Sequence, residues 1–200
     1  MSDLKIYLIE QLTAYLEAVP ESVTTDTYAL SVFVSHESDM GIQDLEISIG
    51  VHTEGQVKER LERSGGGASE ARWNFLEWGD PFEKFEWGMN NYKTILGVDR
   101  DHKSIAIALR EDWLRNRSLL GIEEEDFDSF EDYLFAEESG IDRFRQEVAE
   151  ACLSLRERGV ITRVFGDHEV LIAIHGVCDN FLENQPTKLA NPNLEQMILT

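Results

Sequence analysis

His175, Cys178 and Asp179 stand close together late in the chain and put a thiol beside a base, the minimum a cysteine nucleophile requires. Working Cys/His pairs are usually assembled from distant segments, and neither residue sits in a cysteine-enzyme signature. A strand end for His175 and a buried helix face for Cys178 are therefore the expected roles. His36, His52, His102, His168 and His175 never pair four apart around a Glu, and no Cys-x-x-Cys occurs, so no metal site is assigned. Asp99, Asp101 and His102 read as a solvated turn. Asp126 and Asp128 open like a calcium loop but lack the glycine and terminal Glu that it needs. Gly65-Gly66-Gly67 lacks the Gly-Lys-Ser/Thr ending of a phosphate loop, and there is no Gly-x-Ser-x-Gly. No catalytic residue and no cofactor is assigned.

Two other segments have a chemistry of recognition. Arg72, Trp73, Phe75, Trp78, Phe82, Phe85 and Trp87 fall within sixteen residues, interleaved with Glu77, Glu83 and Glu86. The block reads either as a buried plug with Arg72 and Glu77 paired beside it or as a groove of indole faces and a guanidinium fork. The plug is the expected state, with Trp73 and Trp78 buried. The second segment is acidic. No basic residue lies between Arg117 and Arg143, while Glu123, Glu124, Glu125, Asp126, Asp128, Glu131, Asp132, Glu137, Glu138 and Asp142 do. Phe127, Phe130 and Leu134 recur at helical spacing, so an amphipathic helix would hold these acids at the surface. The partner-binding candidates are Glu123, Glu124, Glu125, Asp126, Asp128, Glu131 and Asp132.

The whole chain carries 18 basic and 39 acidic side chains, a formal net charge of −21. Such a surface repels phosphate backbones and anionic membranes and attracts a basic protein. No nucleic-acid or membrane partner is expected. Two cysteines, Cys152 and Cys178, cannot build a disulfide framework and suit a reducing compartment. The N-terminal residues carry Asp3, Glu10 and Glu17 instead of the basic start and apolar core of a signal peptide. A bacterial cytoplasmic protein is the expectation.

The elements that must position these groups follow from periodicity. Leu4, Leu8, Leu12, Tyr15, Leu16 and Val19 predict a helix stopped by Pro20. Tyr28–Ser35 and Leu45–His52 read as strands, the second alternating Leu45, Ile47, Ile49 and Val51 against Glu46, Ser48, Gly50 and His52. Thr53 and Gln56 form a capping box for a helix through Leu61. Lys103–Arg117 reads as a helix through Ile105, Leu109 and Trp113. Ser139 and Asp142 read as the cap of another, with Ile141, Phe144, Val148, Cys152 and Leu155 on one face and Gly159 ending it. Val160–Phe165 and His168–His175 read as a hairpin around Gly166-Asp167. Segregated strands predict a single α+β domain over residues 1–184, a mixed or antiparallel sheet of two hairpins flanked by helices. Residues 185–200 read as a C-terminal tail.

TYALSVFV, EISIGVHTEGQVKERL, ARWNFLEWG and VLIAIHGVCDN, in that order and spacing, resemble the mainly bacterial family catalogued as domain of unknown function 4303. Its Thr-Glu strand end and Arg-Trp…Glu-Trp motif are matched by Thr53, Glu54, Arg72, Trp73, Glu77 and Trp78. The family's usual proline in that block is replaced by Asn74-Phe75-Leu76. The family has no established activity, but some similar proteins are suspected immunity proteins of bacterial toxin systems, and the resemblance implies such a role; with the absence of a catalytic motif, a non-enzymatic binding protein is the expectation. It agrees with a basic toxin as the partner of the acidic segment. The alternatives from the residues themselves are an enzyme with its pocket at Arg72, Trp73, Glu77 and Trp78, or a scaffold protein.

Overall fold

The computed structural model describes residues 2–35, 45–64, 67, 72, 92–97, 105–176 and 184–195. Helix α1 (Asp3–Glu17) starts where Ser2 Oγ accepts from the Lys5 amide, and Leu4, Leu8, Leu12, Tyr15 and Leu16 face the core. Pro20 ends this run and caps the short helix α2 (Glu21–Thr24), its fixed φ suiting the turn between them. Strands β1 (Thr27–Ser35) and β2 (Glu46–Thr53) pair antiparallel with Val32 opposite Ile49. The expected capping box forms: Gln56 Oε1 accepts from the Thr53 amide and Thr53 Oγ1 from the Gln56 amide, opening α3 (Glu54–Ser64).

Strand β3 (Lys93–Leu96) adds antiparallel to β2, and β4 (Leu171–His175) adds parallel to the far side of β1. The order is β3-β2-β1-β4, a mixed sheet in an α+β fold. Register puts Leu30, Val32, Val34, Ile47, Ile49, Val51, Ile172 and Ile174 on one face. Against it pack α1, α4 (Ile105–Arg115) and the long helix α5 (Phe130–Glu157), sharing one buried core with Leu114, Phe144, Val148 and Cys152.

The second expected hairpin is not formed. Val160–Phe165 is a helix, α6, and β4 finds its partner in β1 instead. Gly159 takes a left-handed φ of 69°, which ends α5 as expected and also starts α6. The β-branched residues of VITRVF suggest a strand, but Val160, Ile161 and Phe165 are buried together on a helical face. Tertiary packing overrides propensity here.

Ser139 and Asp142 do not cap α5 but lie inside it. The helix begins nearly three turns earlier, where Ser129 Oγ accepts from the Asp132 amide. The tail expected from Gln185 opens as a helix, α7 (Gln185–Ala190), that closes the sheet edge. Asn191 Oδ1 accepts from the Ile172 amide and its Nδ2 donates to Ile172 O, as a neighbouring strand would. Thr187 Oγ1 accepts from the Ile174 amide, and Asn184 Nδ2 donates to Ile174 O. Spaced three and four apart, these side chains satisfy an edge that would otherwise be open to another strand.

Candidate functional site

The acidic segment begins in a 3-10 turn over Glu124–Asp126, where Asp126 Oδ2 accepts from the Glu123 amide. Ser129 then caps α5, donating from Oγ to Asp132 Oδ2 at 2.7 Å. Asp132 and Glu131 thus occupy the first turn, where the positive end of the helix favours carboxylates. Phe127 packs edge-on against Tyr133 at 5.7 Å, and Phe130 stacks on the same ring at 6.4 Å. Glu123, Glu125, Asp126, Asp128, Glu131 and Asp132 are all exposed, as expected. Glu124 belongs to the same turn.

Two features of this region go beyond the sequence reading. The first is that α5 outruns the core. Its buried stripe of Ile141, Phe144, Val148, Cys152 and Leu155 continues backward at the same spacing through Glu137, Leu134 and Phe130. Gly140 is the first buried residue of the helix, whereas Leu134 is 38% exposed and Phe130 55%. On another side of the helix Phe135 is 75% exposed. The second feature is an open groove of about 590 Å³ beside α5, running from Phe135 to Glu150 with Arg117 opposite. Extending the hydrophobic repeat upstream of Ser139 would have exposed the first feature; the groove depends on how α4 and α5 approach and has no local signal.

Arg72 donates from Nη2 to Glu54 Oε1 at 2.5 Å and lies over the Tyr28 ring at 5.2 Å. Tyr28 in turn donates to the Arg72 carbonyl, and burial holds its pKa up at about 12. Of the residues that carry the sequence resemblance, Thr53, Glu54 and Arg72 are therefore brought together at the start of α3. Trp73, Glu77 and Trp78 lie outside the described residues, as do Cys178, Asp179, His36 and His102.

His175 has a partner that the sequence reading missed. Its Nε2 stands 2.7 Å from Ser31 Oγ, which accepts from Tyr92 Oη at 2.6 Å; Tyr92 also meets His52 Nε2 at 3.3 Å. On its other side His175 Nδ1 faces the Gly176 carbonyl at 3.4 Å, an acceptor only, so an Nδ1–H donates there and Nε2 is left to accept the serine proton. Burial, and then the Arg60 charge, hold the pKa of His52 well below its usual value. A hydroxyl and an imidazole at this distance have the geometry of a nucleophile and its base. Ser31, however, lies in the middle of β1 with no accessible surface, and His175 is buried beside it. The cluster links β1, β2 and β4 across the second face of the sheet. Strand alternation puts Ser31, His52 and His175 on that face, but the half-buried reading of β2 had assigned its polar side to solvent.

Among the described residues no three His, Cys, Asp or Glu side chains converge as metal ligands, and no helix is long and apolar enough to cross a membrane. No family model, curated protein or solved structure matches the chain. Its functional reading rests on its own surface.

Proposed function

We propose that this is a non-enzymatic bacterial binding protein that holds a basic protein, such as a toxin, on the first half of α5. The observation that carries the reading is the exposure of Phe130 (55%) and Phe135 (75%) within a run of acids that contains no cation between Arg117 and Arg143. Stable interfaces combine desolvated aromatic anchors with a charged rim, and this helix offers both. The acids would steer a basic partner and raise its association rate; the rings would supply the buried contact that slows its release. A net charge of −21 argues against nucleic acid and anionic lipid as ligands of the same surface. The role requires no cofactor, and the bacterial cytoplasm is the compartment that the reading implies.

The test is capture from a lysate of the native host. Wild-type protein should retain a basic protein at low salt and release it as ionic strength rises. The double variant Phe130→Ser, Phe135→Ser should fold normally and retain much less. Equal capture by both proteins, or capture indifferent to salt, would refute the reading.

A further inference from the structure

We propose that a second groove, between the start of α1 and the end of α4, binds a free amino acid with an apolar side chain. The proposal does not depend on the docking surface of α5. The groove holds about 300 Å³, room for a small metabolite. Trp113 is central to it: Leu109, Asp112 and Arg117, four before, one before and four after it in the chain, line the same space. Trp113 is 2% exposed, and its Nε1–H is buried with no acceptor among the described residues. A buried donor left unpaired is costly, and such donors normally find a partner. This one belongs to a side chain that lines a cavity, so an acceptor bound there would satisfy it.

Other donors collect around the same space. Arg117 lies over the Trp113 ring at 4.1 Å and is held there, Nη2 donating to Glu147 at 3.2 Å and Nη1 to the Trp113 carbonyl at 3.5 Å. Ser2 accepts from the Lys5 and Ile6 amides, which leaves the Asp3 and Leu4 amides of the first turn of α1 without an intrahelical acceptor. Indole, guanidinium and helix start together suit a carboxylate. A bare anion would also meet Asp3 and Asp112, which line the groove as well. Asp112 is paired with Arg115 at 2.5 Å, whereas Asp3 is exposed and has no ion pair among the described residues. An ammonium group beside the ligand's carboxylate turns that repulsion into a contact. Leu4 and Leu109 supply an apolar wall. A carboxylate, an ammonium and an apolar side chain on one carbon are the features of an α-amino acid.

The test is NMR on the intact chain, whose four tryptophans each give an indole N–H resonance. That of Trp113 is identified by its loss in Trp113→Phe, or by magnetisation transfer to the Phe144 ring 5.2 Å away. L-Leucine at millimolar concentration should shift this resonance saturably. Isocaproate, which lacks the ammonium, and isoamylamine, which lacks the carboxylate, should each bind at least about tenfold more weakly. Asp3→Asn should weaken leucine about fivefold and isocaproate not at all, with an unchanged urea midpoint. A Trp113 resonance that leucine does not move would leave the indole to a trapped water and overturn the proposal. Isocaproate binding as tightly as leucine, the mark of a plain anion site, would overturn it too, as would leucine binding that Asp3→Asn leaves unchanged. None of these results bears on capture of a basic protein through Phe130 and Phe135, so the two readings stand or fall separately.

Discussion

The two halves of α5 follow one apolar repeat and meet opposite fates. From Ile141 to Leu155 the stripe is sealed between α1, α6, α7 and the sheet; from Phe130 to Leu134 the same stripe has no core beneath it. Periodicity says which side chains share a face, and the length of the element against the body it packs on decides which of them are buried. At 28 residues α5 spans about 42 Å, longer than a sheet of four- to nine-residue strands can cover. The acids are concentrated where the apolar stripe is left in water. In the proposed role that pairing would make an exposed apolar patch selective for a basic partner.

The sharpest way to break this contrast is to truncate one phenylalanine in each half. Phe144 is fully buried and meets Trp113 edge-on at 5.2 Å. Phe144→Ala should lower unfolding free energy by about 3–5 kcal/mol, through lost transfer and the cavity left behind. Phe135→Ala should change it by less than about 0.5 kcal/mol. Urea denaturation of both variants decides; comparable losses would mean that the two halves are equally part of the core.

The buried half is also fastened at its end. Arg156 donates to the Ala190 and Val170 carbonyls and to Asn191 Oδ1, tying α5 to α7 and to the start of β4. Arg156→Met should cost roughly 2–3 kcal/mol, because three buried acceptors lose a charge-assisted donor. Hydrogen exchange at the Ile172 amide, held by Asn191, should accelerate more than exchange in β2. Uniform acceleration across the sheet would show a loss of global stability with no local anchor.

Cys152 sharpens the contrast chemically. Burial pushes its thiol pKa up to about 12, so near pH 8 almost no thiolate exists while the protein is folded. In a Cys178→Ala background, alkylation should proceed only as fast as the protein opens, and Phe144→Ala should accelerate it. Cys152→Ser should cost about 1–3 kcal/mol, the burial of a hydroxyl in an apolar site. Rapid alkylation of the stable wild type would show that this half opens locally.

Much of this was legible from residue types alone. The leucine spacing of α1, the alternation of β2, the Thr53/Gln56 box and the Gly159 stop each encode one local geometry, and each forms. What escaped the reading depends on distant partners. VITRVF folds as a helix because α5 offers a surface for Val160, Ile161 and Phe165. Asn184, Thr187 and Asn191 read as a polar tail until the open edge of β4 gives them amides and carbonyls to bind. The acidic candidates were readable as a charge run. That Phe135 would stand at the mouth of a groove was not, since the groove exists only once α4 brings Arg117 opposite α5.

The smallest effect on folding and the most informative one on function comes from the charges themselves. Glu125, Asp128 and Glu131 are exposed at the start of α5. Reversing all three to Lys should move the urea midpoint very little, by less than about 0.5 kcal/mol, because exposed charges contribute little and relief of like-charge crowding offsets the lost helix-dipole contact. Association with a basic partner is where the change should register. Rim charges act mainly on the encounter, over distances comparable to the screening length of about 8–10 Å at physiological salt. The triple variant should therefore associate more slowly and dissociate at nearly the wild-type rate, and the difference should shrink as salt is added. Phe135→Ala should show the opposite pattern, with a faster off-rate and an on-rate close to wild type. Stopped-flow association at two ionic strengths separates the two cases. If the triple reversal accelerates dissociation and leaves association untouched, the acids are direct contacts and not a steering field, and the division between a charged approach and an aromatic anchor fails.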